Sequence, residues 1–393
     1  MSDKTCLVTK YKKVVNNNNL KKRGVLVVHM SHLDSITNEG QYLMQLRSQV
    51  PSTVTVLGGG YVTEDINHHA QEDIRTEGTK QIELQANRLT TLWFYNSPEP
   101  YDVEITNKYD LDFIQRGTGS ISMPYVDLED LRYLTNLKTI GFGSTATFGP
   151  FDALSNLKDL EYLALDQGTG NIYGDIDILS RMTNLWGLYL PPYVTGSLQS
   201  ISNILPNLVR FSCSGGNLIT GNTSAFRSNS VLISCYLNSM ITGNLSDFSG
   251  CSSTLEGFGF PGATGGDLGT DFGSHIKLKT LYLSAAGRLT GSIEDFVSRQ
   301  KTAGRTSTYT PSDPSSTAIV GSFLTSGFTF GGNVIECPLG YYISWLAWEG
   351  NKIIIYQGNN TDFSSYAYVY AKGATSAEIT AWRNAGKTVT VIS

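Results

Sequence analysis

The chain has 393 residues, of which only 16% are charged, 40% are hydrophobic and 40 are glycine, with 21 tyrosines. Low charge with many aromatics excludes a disordered chain, and glycine without a three-residue period excludes collagen, which leaves a turn-rich, strand-rich protein. The net charge of −5 is uneven: residues 1–24 hold seven Lys/Arg against one acid, leaving 22 basic and 33 acidic residues, net −11, in the remainder.

From the N-terminus, Met1 to Lys13 is polar and no apolar signal core precedes Lys21-Lys22-Arg23, so the expectation is a chain made in a cytoplasm without a signal peptide. Cys6–Val15 is β-prone, Asn16–Asn19 reads as a turn, Val25–Met30 as a strand, Gln41–Ser48 as a short helix and Val54–Leu57 as a further strand. Residues 1–60 thus read as an attachment or oligomerisation segment, and 61–127 as transitional. The basic side chains Lys10, Lys12, Lys13, Lys21, Lys22 and Arg23 mark the attachment surface. Nucleic-acid binding is disfavoured there because only Tyr11 accompanies them.

From residue 128 to 300 the sequence repeats itself. Apolar residues recur at i, i+3 and i+5: Leu137/Ile140/Phe142, Leu160/Leu163/Leu165, Leu185/Leu188/Leu190, Leu208/Phe211/Cys213, Leu232/Cys235/Leu237, Leu255/Phe258/Phe260 and Leu278/Leu281/Leu283. The mean step is 23.5 residues. A glycine column follows at 149, 174, 196, 221, 243, 266 and 291, often preceded by threonine. The last two apolar positions point to one side of a short strand, and no single coil can bury its apolar face alone, so coils must stack with the glycines marking tight turns. Degenerate copies begin at Leu89/Leu92/Phe94 and Lys108/Leu111/Phe113.

These residues resemble the leucine-rich repeat of consensus LxxLxLxxNxLTGxI, best matched by Leu278-Lys-Thr-Leu-Tyr-Leu283 and Arg288-Leu-Thr-Gly-Ser-Ile293. The resemblance implies a leucine-rich repeat solenoid: a parallel β ladder with few short helices or 3-10 turns. The sequence departs from the consensus at Cys213, Cys235 and most of the asparagine positions.

Residues 301–317, rich in Ser, Thr and Pro, read as a linker, and 318–393 as a β-rich α+β cap. Within the cap, Phe328–Ile335, Tyr342–Trp348, Lys352–Tyr356 and Tyr366–Tyr370 read as strands. Thr375-Ser-Ala-Glu378 reads as a capping box opening a helix that Gly386 ends, and Lys387–Ile392 as a last strand.

Motifs for catalysis are missing: no HExxH, no GxSxG and no GxGxxG after a strand. A non-enzymatic protein with no cofactor and no metal is expected. His29 and His32 near Asp34, and His68 and His69 with Asp65 and Glu72, read as polar surface loops ahead of metal sites; Asp267 and Asp271 read as turn residues ahead of calcium ligands. Cys213, Cys235 and Cys251 read as buried apolar groups, and the sequons at Asn222, Asn244 and Asn359 as chance matches.

The candidate binding surface is the outward side of the strand ladder, with Tyr162, Trp186, Tyr189, Arg210, Tyr236 and Tyr282. Rigid aromatics with polar tips suit sugar rings or a protein partner; the alternative is that they cover the sheet or face a symmetry mate. The opening Lys4-Thr-Cys-Leu-Val-Thr-Lys-Tyr-Lys-Lys-Val-Val-Asn-Asn-Asn-Asn-Leu20 resembles the start of virion proteins from crAss-like phages of Bacteroidetes. That resemblance implies a tail-fibre or head-fibre protein of the virion. It would join other virion proteins by its N-terminus and bind a host glycan or protein receptor. It would form a homo-oligomer (a trimer among the options), with no membrane insertion. The alternative is a cellular bacterial leucine-rich repeat adhesin or effector.

Overall fold

The computed structural model describes residues 126–393 apart from short stretches (133–134, 136, 142–146, 167–170, 215, 217, 284–287, 307–317, 322–327, 335–342 and 361); before residue 126 it describes the backbone of nine strands. The chain divides into two units, one of residues 1–160 and 167–171, the other of 161–166 and 172–393.

In the first unit, five strands form an antiparallel sheet in the order Val62–Ile66, Ser52–Leu57, Lys80–Gln85, Val25–Ser31, Asp102–Thr106. The helix expected at Gln41–Ser48 is instead the strand Met44–Ser48, paired antiparallel with Glu72–Ile74 and Leu89–Phe94. Its Met-Gln-Leu-Arg alternation has the period of two that suits a strand. Leu89–Phe94 and Phe113–Arg116 run parallel, and Thr139–Gly141 continues that ladder. Leu92 of the first degenerate copy is in register with Ile114 and Ile140, so Ile114 takes the place expected for Leu111, which with Lys108 lies outside the described residues. The basic residues 10–23, the Cys6–Val15 stretch, Cys337 and the histidines at 32, 68 and 69 lie outside the described residues.

The second unit is built from coils whose three apolar positions are sequestered. Leu163, Leu165, Leu188, Leu190, Phe211, Cys213, Cys235, Phe258, Phe260 and Leu283 are 0% exposed. Each i+3 residue centres a three-residue strand, and the register steps from Leu163 to Leu188, Phe211, Cys235, Phe258, Leu281 and Gly321. A strand this short has few bonds of its own, so its stability is that of its neighbours. At roughly 1.5–3 kcal/mol per buried side chain, the apolar triplet is what drives each coil onto the next. An aromatic spine fills the later coils, with Phe226–Phe248, Phe248–Phe258 and Phe258–Phe272 ring centroids 5.5, 4.7 and 4.9 Å apart.

The glycine column, expected in tight turns, lies instead in short strands. In the second unit Ile172–Asp175, Val194–Ser197, Leu218–Asn222, Ile241–Asn244, Ala263–Asp267 and Arg288–Thr290 pair parallel as a second ladder. Six of the seven glycines fall within such strands, and Gly291 follows the last. All seven glycines have positive φ, +108° to +150°, a region that L side chains rarely adopt. Space is equally restrictive: a Cβ on Gly221 would lie 3.0 Å from the Leu198 backbone nitrogen, and one on Gly291 would lie 3.0 Å from that of Leu268. The threonine before the glycine has its own cause. Thr195, Thr220, Thr242 and Thr290 donate Oγ1–H to the carbonyl of the preceding coil's column glycine, Gly174, Gly196, Gly221 and Gly266 respectively, at 3.2–3.4 Å.

Except at Gly149, where Pro150 follows, the residue after each glycine caps the next helical turn. Asp175, Asn222, Asn244 and Asp267 accept backbone N–H bonds at 2.9 Å, and Ser292 accepts one at 3.0 Å at the start of the helix Ile293–Thr302. Short polar side chains at this position satisfy donors that the turn leaves orphaned.

The cap continues the same sheet. Ile319–Gly321 pairs parallel with Thr280–Tyr282 and antiparallel with Ile343–Glu349, which leads to Lys352–Gly358 and Tyr368–Lys372. Thr375 and Glu378 form the expected capping box of the helix Ser376–Asn384, and Thr388–Ile392 returns parallel to Tyr368–Lys372. Where one strand is expected at Phe328–Ile335, Thr329–Phe330 and Asn333–Val334 form a hairpin turning on Gly331 and Gly332, both at positive φ, the geometry of a tight primed turn.

Candidate functional site

Strand periodicity turns the i+2 and i+4 residues of each unit outward. From Tyr162 to Tyr282 these positions carry seven hydroxyl side chains, three glycines, Ala164 and Arg210, with neither a carboxylate nor a large aliphatic group among them. The i+1 position adds Trp186, 41% exposed, with Val209 and Ile233 half-buried on the next two coils and Glu161, Glu256 and Lys279 on the others.

The sequence-chosen residues fall into two clusters. Tyr162, Trp186 and Tyr189 meet on adjacent coils, the Tyr162 ring centroid 5.0 Å from Trp186 and 5.8 Å from Tyr189. Arg210 lies exposed on the next coil, close enough to lower the Tyr162 pKa, and no carboxylate pairs with it among the described residues. Burial is the main influence on Tyr162 and raises its pKa, with Tyr189 and Asp166 adding to the rise. Asp166, just past Leu165, is itself shifted upward by burial. The second cluster is Tyr236 and Tyr282, 6.4 Å apart, where burial and then Tyr236 raise the Tyr282 pKa.

Glycines explain how the rings lie. A Cβ on Gly187 would sit 2.4 Å from Tyr162 Cδ2, and Cβ atoms on Gly257 and Gly259 would sit 2.6 and 2.7 Å from atoms of Tyr236. Each tyrosine therefore lies across the bare backbone of following coils, and the Tyr236 hydroxyl is 2.9 Å from Thr280 Oγ1, two coils on. Tyr162, Tyr189, Tyr236 and Tyr282 are half-buried as a result. They cover the sheet and still present ring surface. The glycine floor, Asp166 and Thr280 were missed by choosing aromatics one at a time; reading both outward columns together exposes the glycine floor and Thr280.

The remaining candidates are structural. Cys213, Cys235 and Cys251 are buried free thiols, and burial pushes Cys213 and Cys251 up to about 12 and Cys235 well above its ordinary value. Thiolate chemistry is suppressed at all three. Asp267 caps its helix while Asp271 Oδ2 accepts the Asp267 N–H at 2.9 Å, as a turn requires. Asn222 and Asn244, from the sequons, are turn caps. Among the described residues no three His, Cys, Asp or Glu side chains group as metal ligands, and no helix is long and apolar enough to cross a membrane.

The stacked coils, paired ladders and glycine column define a leucine-rich repeat solenoid. No protein-family model and no curated protein matches the chain. Among solved structures it is similar to the plant peptide hormone receptor RGFR1 in complex with RGF2, at 18% identity, TM-score 0.37, over 48% of this chain and 34% of that one. It is also similar to the ectodomain of the Arabidopsis thaliana receptor kinase GASSHO1/SCHENGEN3, at 21% identity, TM-score 0.37, over 53% and 28%. A TDR receptor matches at 20% identity, TM-score 0.36, over 46% and 31%. The alignments span about a third of the length of these receptor chains.

Proposed function

We propose that the chain is a binding protein whose ligand surface is the outward strand face, and that it serves as a virion fibre protein attached by its N-terminal segment. The observation that carries the binding role is the Tyr162–Trp186–Tyr189 cluster, ring surface on a rigid ladder beside Arg210, which has no ion pair among the described residues. Pre-ordered aromatics of this kind give up little conformational entropy on binding. The virion assignment is supported by the N-terminal sequence resemblance and by the basic arm at residues 4–23 on an otherwise acidic chain. A host glycan or surface protein is the ligand class, and other virion proteins are the N-terminal partners.

Trp186→Ala with Tyr189→Ala is expected to reduce binding to host cells or to a glycan array, with an unchanged far-UV CD spectrum. Undiminished binding rules the face out. Deleting residues 1–24 should yield soluble repeats that no longer join the particle; normal incorporation would remove the anchor from the proposal.

A further inference from the structure

We infer that the strand face takes an extended, carboxylated polysaccharide lying along the solenoid axis, with ring-stacking subsites at either end and Arg210 reading an acidic sugar between them. This rests on the binding role proposed for that face and specifies its ligand.

Three observations lead there. Two of the outward columns are rich in hydroxyls: apart from glycines and Ala164 they hold only Ser, Thr, Tyr and Arg210, while the i+1 column beside them holds Glu161, Trp186, Val209, Ile233, Glu256 and Lys279. A protein-binding face has an apolar, desolvated centre. Here the middle coil exposes Arg210 beside the half-buried Val209, while Ser212 is buried with its hydroxyl 3.3 Å from that of Ser214. Hydroxyl donors and acceptors interleaved with ring faces match a sugar chain, which alternates apolar ring faces with hydroxyl rims.

The aromatic clusters are also separated along the axis. Tyr189 and Tyr236 are two coils apart, and Tyr162 to Tyr282 spans five ladder steps, roughly 24 Å at about 4.8 Å per strand. That run is long enough for several linked sugar rings. A monosaccharide would need one cluster, so two aligned clusters on glycine floors favour a polymer.

Charge supplies the last element. Arg210 is exposed, stands between the clusters and has no ion pair among the described residues, whereas Arg227, Lys279 and Arg299 are each paired with a carboxylate. Its planar guanidinium suits bidentate capture of a carboxylate.

The test measures binding of the full chain to polygalacturonate, alginate and hyaluronate, each beside its carboxyl-reduced form. At least one native polymer should bind about tenfold or more tightly than its reduced form, and Arg210→Gln should bring that ratio close to one while CD is unchanged. Tyr236→Ala with Tyr282→Ala should weaken the polymer and leave its disaccharide unaffected. Equal binding of native and reduced forms, or binding of none, overturns the inference. If Trp186→Ala with Tyr189→Ala still lowers binding to cells, the face survives as a binding surface without the acidic glycan. Loss of that cell binding on protease treatment would then identify a protein ligand. If neither polymers nor cells respond to the face variants, the binding role itself fails.

Discussion

The repeat coils and the C-terminal cap share one sheet but are stabilised differently. A coil has three-residue parallel strands, and each is held by what lies above and below it. The cap has two adjacent seven-residue antiparallel strands and a core of its own, in which Trp345, Ile354, Tyr356, Val369 and Trp382 pack together. Local defects should therefore spread differently: along the ladder in the coils, as whole-module loss in the cap.

The largest effect is expected in the cap. Trp345→Ala empties the centre of its core, at a cost of about 3–5 kcal/mol, and should appear in thermal melts as early loss of the cap with the coils retained. A single melting transition that shifts as a whole would show that cap and coils unfold as one. Gly221→Ala attacks the ladder instead. It places a Cβ at φ +120° against the preceding coil, costing about 2–3 kcal/mol, and hydrogen exchange should rise in the coils flanking 221 before it rises in the cap. Unchanged exchange there would deny the coils their dependence on neighbours.

A smaller loss, about 1–3 kcal/mol, is expected for Asp247→Ala. Asp247 is 2% exposed and accepts from Thr223 at 2.5 Å and from Arg227 at 2.7 Å, and it completes the capping box with Asn244. Denaturant titration should lower its midpoint without altering the slope.

The smallest effect is one of pH. His275 is 0% exposed, stacks on Phe272 at 4.3 Å and has Nε2 3.1 Å from the Phe248 carbonyl. Burial lowers its pKa below 6.5. The unfolded chain therefore binds the proton first as pH falls, so this contribution is intact above about 6.5 and is lost as pH falls from there through the folded value. His275→Gln should flatten the stability profile in that window. An unchanged profile would mean that another group titrates there.

Much of the coil was legible in the sequence because its constraints repeat. Every 23.5 residues on average the same apolar spacing and the same glycine return, and each of the seven glycines takes a positive φ. The cap helix was legible for a local reason, since Thr375 and Glu378 lie within one turn of each other. The segment 41–48 misled because its few apolar residues fit a short helix as well as a strand, and pairing with 72–74 and 89–94 decided between them.

The binding face shows the limit most clearly. By itself the sequence determined the period, the buried triplets, the glycine column and which residues face outward, because each follows from spacing along one coil. Only the tertiary structure decided that Tyr162 lies over Gly187, that Tyr236 spans Gly257 and Gly259 to reach Thr280, and that Arg210 stands between two aromatic clusters with no ion pair among the described residues. Those partners are separated by 21 to 44 residues and meet only because coils stack. A contact between coils depends on the register of the ladder and the direction each ring takes across it, and neither is written in any one repeat.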